Sequence, residues 1–127
     1  MNPVDIVKAV DDAINAGDVE KALTFYVDDV RARAPDPEGP GLRERVGKDA
    51  LRRVLEADRE RGVKFLCKRC VCEGDLAAAE AENVGTFDGK TVHQPVGVFY
   101  QIADGKIASV TVYYDRLGLR KAVQDVE

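Results

Sequence analysis

The chain has 127 residues, with 19 basic against 23 acidic side chains and a net charge of −4. That length suits one domain over residues 1–127 and is enough to bury a core without metals or disulfides. The acidic balance argues against a nucleic-acid binder, which needs a basic face, and no apolar run approaches the roughly 20 residues that cross a bilayer. The first residues carry Asp5 and Asp11 in a helical pattern and no apolar signal core, so a cytoplasmic location is expected.

Pro3 to Ala16 repeats apolar residues at helical spacing and stops at Asn15-Ala16-Gly17. Asp18 is positioned as the N-cap of a second, short helix with Val19, Ala22, Leu23 and Tyr26 on one side, ended by Asp28-Asp29. Val30 to Ala34 alternates apolar and charged residues, as a half-buried strand does. The Pro- and Gly-rich stretch from Pro35 to Gly41 is a loop. Lys48 to Arg61 carries an apolar stripe among charges and predicts a helix ended by Gly62. Four strands follow, Val63–Cys72, Leu76–Phe87, Thr91–Ala103 and Ile107–Asp115, with Asp88-Gly89 and Asp104-Gly105 as hairpin turns. Helices first and an antiparallel meander afterwards, with one early strand added, define an α+β protein.

Cys67, Cys70 and Cys72 cluster in the first meander strand. Strict alternation puts Cys67 on the face opposite the other two, so the three cannot close around one ion, and they read as reduced packing residues. No metal site is expected. The only serine, Ser109, lies inside a strand, and no Gly-x-Ser-x-Gly occurs, which argues against a serine nucleophile. Three features can carry chemistry. Glu80 and Glu82, two apart on a strand, share a face. That face either lines a pocket, where crowded carboxyls hold their protons more tightly, or meets water while the neighbouring alanines pack inward. His93, the one histidine, titrates in the right range for proton transfer, although a lone histidine can equally be structural. Tyr113-Tyr114-Asp115, with Tyr26 and Tyr100, offers phenols that can donate to a carbonyl oxygen or simply pack.

The order and spacing of NAGDVEKALTFYVDDV, a Pro-rich loop, GKDALRRVLE, FDGKTV and DGKIASVTVYYD resemble the nuclear transport factor 2-like superfamily, in its SnoaL-like and ketosteroid-isomerase-like branch. The resemblance covers nearly the whole chain. It implies a cone-shaped α+β barrel, with N-terminal helices packed in a strongly curved antiparallel sheet around one deep apolar pocket, and pairing of two copies through the outer sheet face as a homodimer. The steroid isomerases of the superfamily use an aspartate base with a tyrosine and a protonated aspartic acid. The matching positions here are Ala34, Val10 and Gly97, so the resemblance implies no steroid isomerase activity. The limonene epoxide hydrolase site is not reproduced either, because its last-strand aspartate falls at Val112. With Gly97 facing the pocket, His93, Phe99 and Gln101 share its face, and the hairpin turns Glu80 and Glu82 inward.

These readings lead to a cofactor-free acid/base enzyme for a small hydrophobic carbonyl or epoxide compound: a cyclase, isomerase, dehydratase or epoxide-opening enzyme. Glu82 with Glu80 is the expected acid and base, His93 the proton shuttle, and Tyr114 or Tyr26 the group that orients the substrate oxygen. Val10, Ala34, Gly97, Phe99, Gln101, Val112 and Asp115 are the expected ligand contacts. The alternatives are a non-catalytic binding or dimerisation module that uses the same pocket, and an adaptor that uses the outer sheet face.

Overall fold

A computed structural model describes residues 1–124, so the last three residues of the expected domain lie outside the described residues. Helix α1 (Pro3–Asn15) starts where the Asn2 side chain accepts a hydrogen bond from the Asp5 N–H at 2.9 Å, with Pro3 pre-set for the first turn. It ends at Gly17, whose φ of 74° lets the Asp18 N–H reach back to the Ala13 carbonyl at 2.9 Å. Asp18 caps α2 (Val19–Leu23) as expected, accepting from the Lys21 N–H at 3.1 Å.

Six strands form one sheet: β1 (Tyr26–Pro35), β2 (Leu42–Val46), β3 (Lys64–Glu73), β4 (Leu76–Phe87), β5 (Lys90–Ala103) and β6 (Lys106–Tyr113), with α3 (Lys48–Glu60) between β2 and β3. Their order is β2-β1-β6-β5-β4-β3. The meander β3 to β6 is antiparallel throughout, and β1 joins it parallel to β6. Both predicted hairpin turns form, with Asp88 and Asp104 at φ near 50° ahead of Gly89 and Gly105 at 77°. The result is an α+β, cone-like fold: helices against the inner face of a curved, open sheet.

Four differences from the sequence reading have physical causes. Helix α2 stops at Leu23, so Tyr26 opens β1 and is not helical, and Asp28-Asp29 lies within that strand. Strand β2 was not expected, because LRERV is exposed along its whole length and is held by pairing with β1 at the sheet edge. Helix α4 (Arg116–Gln124) follows β6, which ends at Tyr113, before Tyr114 and Asp115. The cysteines share one face after all. A bulge between Cys67 and Arg69 shifts the register, so Cys67, Cys70 and Cys72 stand opposite Ala81, Ala79 and Ala77.

The register fixes which face is the core. On β4, Ala77, Ala79 and Ala81 are buried, and they stand opposite the equally buried Tyr100, Val98 and Val96 of β5. Tyr100 and Val98 pair in turn with Val110 and Val112 of β6, and Val110 with Ala32 of β1. The alanines allow α1 to lie close to the sheet, where it buries Ile6, Val7, Val10 and Ala13. Among the described residues, no helix is long and apolar enough to cross a membrane.

Candidate functional site

Between the inner sheet face and helices α1 and α3 lies a cavity of about 340 Å³. That is the size of a small-molecule site. Its walls are apolar: Ile14 from α1, Leu51, Val54 and Leu55 from α3, Phe65 from β3, Val98 from β5, and Val110 and Val112 from β6. Polar residues complete the lining: Asp11, Asp58, Tyr26, Tyr100, Tyr114 and Asn83, together with Arg33, Arg43, Arg45 and Arg116.

Asp11 is the buried charged residue of the core, 6% exposed, and its Oδ2 has no hydrogen-bond partner. Loss of hydration pushes its carboxyl up to about 7, with the neighbouring Asp12 charge adding to the effect. Asp58 on α3 is raised to about 6, again chiefly by burial, against the pull of Arg61. The Tyr26 and Tyr100 hydroxyls are pushed up by burial first and by the Asp11 charge second. Both phenols therefore stay protonated and can only donate to an anionic oxygen. The Cys67 and Cys70 thiols also feel Asp11 and are raised, mainly by burial. Such thiols are poor nucleophiles.

The cavity gathers Tyr26, Ala34, Val112 and Tyr114 from the residues expected at the site. Val10 is 1% exposed in the core beside the cavity and does not line it. Glu80, Glu82, His93, Gly97, Phe99 and Gln101 stand on the opposite, outer face of the sheet, alternating with the buried positions of β4 and β5. The expectation that this set faces the pocket is thereby corrected: the anchor at Gly97 lies one residue out of phase with the apolar alternation Val92, Val96, Val98, Tyr100, Ile102. On the outer face, Glu82 Oε1 meets His93 Nδ1 at 2.8 Å, and Glu80 meets Arg69 at 3.2 Å. The Gln101 side chain donates to the Asp75 carbonyl at 3.2 Å. Asp115 is exposed, and its carboxylate accepts from the Gly118 N–H at 2.9 Å, which caps α4.

Asp11 and Asp58 were missed, yet each leaves a sequence signal. Asp11 falls between Val7 and Ile14 in the apolar stripe of α1, and Asp58 continues the stripe of Leu51, Val54 and Leu55 on α3. A carboxylate in phase with a buried stripe is either a folding penalty or a working group. Among the described residues, no cluster of three or more His, Cys, Asp or Glu side chains is arranged to hold a metal ion.

Comparison with known proteins adds to this geometry. A family described as the SnoaL-like domain matches residues 7–110. No curated protein matches the sequence. Among solved structures, a putative SnoaL-like polyketide cyclase from Jannaschia sp. CCS1 superposes with a TM-score of 0.82 at 16% identity, over 98% of this chain and 93% of that one. An NTF2-like protein of unknown function from Burkholderia pseudomallei K96243 gives 0.84 at 15% identity, over 97% and 98%. An LEH-like epoxide hydrolase from M. tuberculosis gives 0.78 at 19% identity, over 96% and 89%. At these identities the structural likeness establishes the shared fold.

Proposed function

The chain belongs to the SnoaL-like domain family of the nuclear transport factor 2-like superfamily, and from that premise we propose that it is a cofactor-free acid/base enzyme for a small hydrophobic carbonyl or epoxide compound. The observation that carries the reading is a pair of carboxyls, Asp11 and Asp58, raised to about 7 and about 6 inside one apolar cavity. Near neutral pH such a pair holds both a proton donor and a proton acceptor. Asp11, the stronger proton holder, gives its proton to the substrate oxygen. Asp58 takes a proton from the adjacent carbon or from an attacking water. Tyr26 and Tyr100 donate to the developing oxyanion, and Tyr114 orients the substrate oxygen. Two of the similar structures, the putative polyketide cyclase and the epoxide hydrolase, are named for reactions of this class.

This reading moves the acid and base from Glu80, Glu82 and His93 to the helices. In it, residues 1–127 act as one domain in the cytoplasm, in keeping with three free thiols. Two copies pair through the outer sheet face, where Leu66, Val71, Phe99 and Tyr113 are exposed. The test is turnover of a panel of cyclic epoxides and β-dicarbonyl compounds. Asp11→Asn should lower the rate roughly 10²–10⁴-fold, with Glu82→Gln unchanged. The reverse pattern returns the chemistry to the outer face, and retention of full rate in Asp11→Asn removes the proposal. Binding of panel members without turnover in the native protein favours the non-catalytic alternative, to which the apolar Val10 and Ala34 at the isomerase positions lend support.

A further inference from the structure

The inner face of the sheet changes character at its β2 edge. The register sets Arg45 opposite Ala32 and Arg43 opposite Ala34, so both arginines stand on the face that lines the cavity. Because β1 and β6 run parallel, the end of β1 and the end of β6 reach the same side of the sheet, and Arg116 joins the cavity wall just past Tyr114. Besides Arg33, which is tied to Glu44 at 2.7 Å, three arginines thus line one side of the cavity in a chain of net charge −4.

The nearby acids are largely committed elsewhere. Glu44 is held by Arg31 at 2.8 Å and Arg33 at 2.7 Å. Asp115 caps α4. Asp36 and Glu38 reach Arg43 only at 3.8 and 4.0 Å. Among the described residues, neither Arg45 nor Arg116 has an ion-pair partner. Against α1 and α3, the ionised Asp58 repels a second carboxylate, and the burial that keeps a proton on Asp11 disfavours another charge beside it. An anionic group is therefore favoured at the arginine side and disfavoured inside, which gives the cavity a polarity along its length.

We propose that the cavity takes an amphipathic carboxylic acid, its apolar body against Leu55, Val98 and Val110 and its carboxylate on Arg45 and Arg116. This rests on the cavity being the ligand site, as under Proposed function, and names the class of molecule that enters it. Guanidinium groups suit the task because they bind carboxylates through paired, charge-assisted hydrogen bonds. The acid group is a handle distant from the reacting carbon, so it fixes which end of the molecule meets Asp11.

The test is calorimetric binding of 2-naphthoate and its neutral isostere 2-naphthamide to the full chain, at low and high salt. The acid should bind roughly fivefold or more tightly than the amide at low salt, and the preference should shrink at high salt. The double variant Arg45→Gln/Arg116→Gln should lose the preference while keeping its affinity for the amide. Equal binding of the two probes, or an acid preference that survives in the double variant, overturns the carboxylate handle and leaves the acid/base reading standing. Failure of both probes to bind also overturns the carboxylate handle, while the acid/base reading stands or falls on turnover in Asp11→Asn.

Discussion

His93 Nδ1 lies 2.8 Å from Glu82 Oε1 on the outer face of the sheet, back to back with the cavity. The contact joins neighbouring strands β4 and β5, with Lys68 of β3 standing 3.9 Å from the other carboxylate oxygen. The hydrogen bond from His93 is the main reason the Glu82 carboxyl sits below its ordinary value, with the Lys68 charge adding to it. A lowered carboxyl supports the fold above its unfolded value, and that support is lost only as pH falls through the lowered folded value. Replacing His93 with Ala should therefore raise the Glu82 midpoint in a carbon-detected NMR titration. It should lower stability at neutral pH, and the deficit relative to the native protein should close as pH falls through the Glu82 titration. Ligand affinity in the cavity should not change, and a fall in that affinity would tie the outer pair to the site.

Asp11 has the opposite sign. Its folded value of about 7 lies above the ordinary 3.8. Between those two values the native state holds a proton that the unfolded chain has released, so stability falls as pH rises through this window. Above about 7 the full penalty is present. Asp11→Asn removes the charge and keeps the shape. Its stability should match that of the native protein near pH 4 and exceed it increasingly up to pH 8, by about 4 kcal/mol at the top of the range, read as a widening gap in melting temperature. A stability difference that does not vary with pH would mean that Asp11 is not buried as a carboxyl. Stabilisation coupled with lost turnover is the signature of a working group kept at the expense of the fold.

The fold could be read from the chain because its local signals agree with one another. Asp18 caps, Gly17 terminates, and the Asp88-Gly89 and Asp104-Gly105 turns all form where the residues require. The site was read less well, for two reasons. Strand register is a parity problem, and anchoring on Gly97 reversed β4 and β5 against the plain alternation of Val96, Val98 and Tyr100. The Cys67 bulge breaks parity within β3, which no alternation rule detects. The cavity carboxyls, Asp11 and Asp58, lie on helices, where a single acid beside an apolar stripe reads equally as a surface residue. Strand β2, with no buried residue of its own, exists only through its pairing with β1.

Gly85 marks a close approach that fixes the cavity wall. A Cβ built there would meet Val63 Cγ2 at 2.8 Å and Phe87 Cε2 at 3.4 Å, and Val63 lines the cavity. Gly85→Ala should therefore destabilise the protein by about 1–3 kcal/mol. If the clash with Val63 is the cause, Val63→Ala in the same chain should recover much of the loss, with the two changes strongly non-additive. Additive effects in a thermal melt would show that the strand conformation at Gly85, not the Val63 contact, sets the requirement.

Asn15 ties the end of α1 to β3. Its side-chain amide donates to the Phe65 carbonyl at 2.9 Å and accepts from the Phe65 N–H at 2.7 Å, serving the backbone as a second strand would. The Lys64 ammonium adds a bond to the Asn15 carbonyl at 2.7 Å. Since β3 is the edge strand and Phe65 faces the cavity, the clamp sets the position of that wall. Asn15→Ala leaves both Phe65 groups without protein partners and should cost roughly 1–3 kcal/mol. Exchange of the Phe65 amide hydrogen should accelerate. Asn15→Asp is the sharper test. Its carboxylate can still accept from the N–H but is repelled by the carbonyl, so the variant should be destabilised at neutral pH. Protonation restores a donor, and stability relative to the native protein should recover as pH falls through the carboxyl's titration. Equal destabilisation at acid and neutral pH would show that the amide's donation to Phe65 carries no weight.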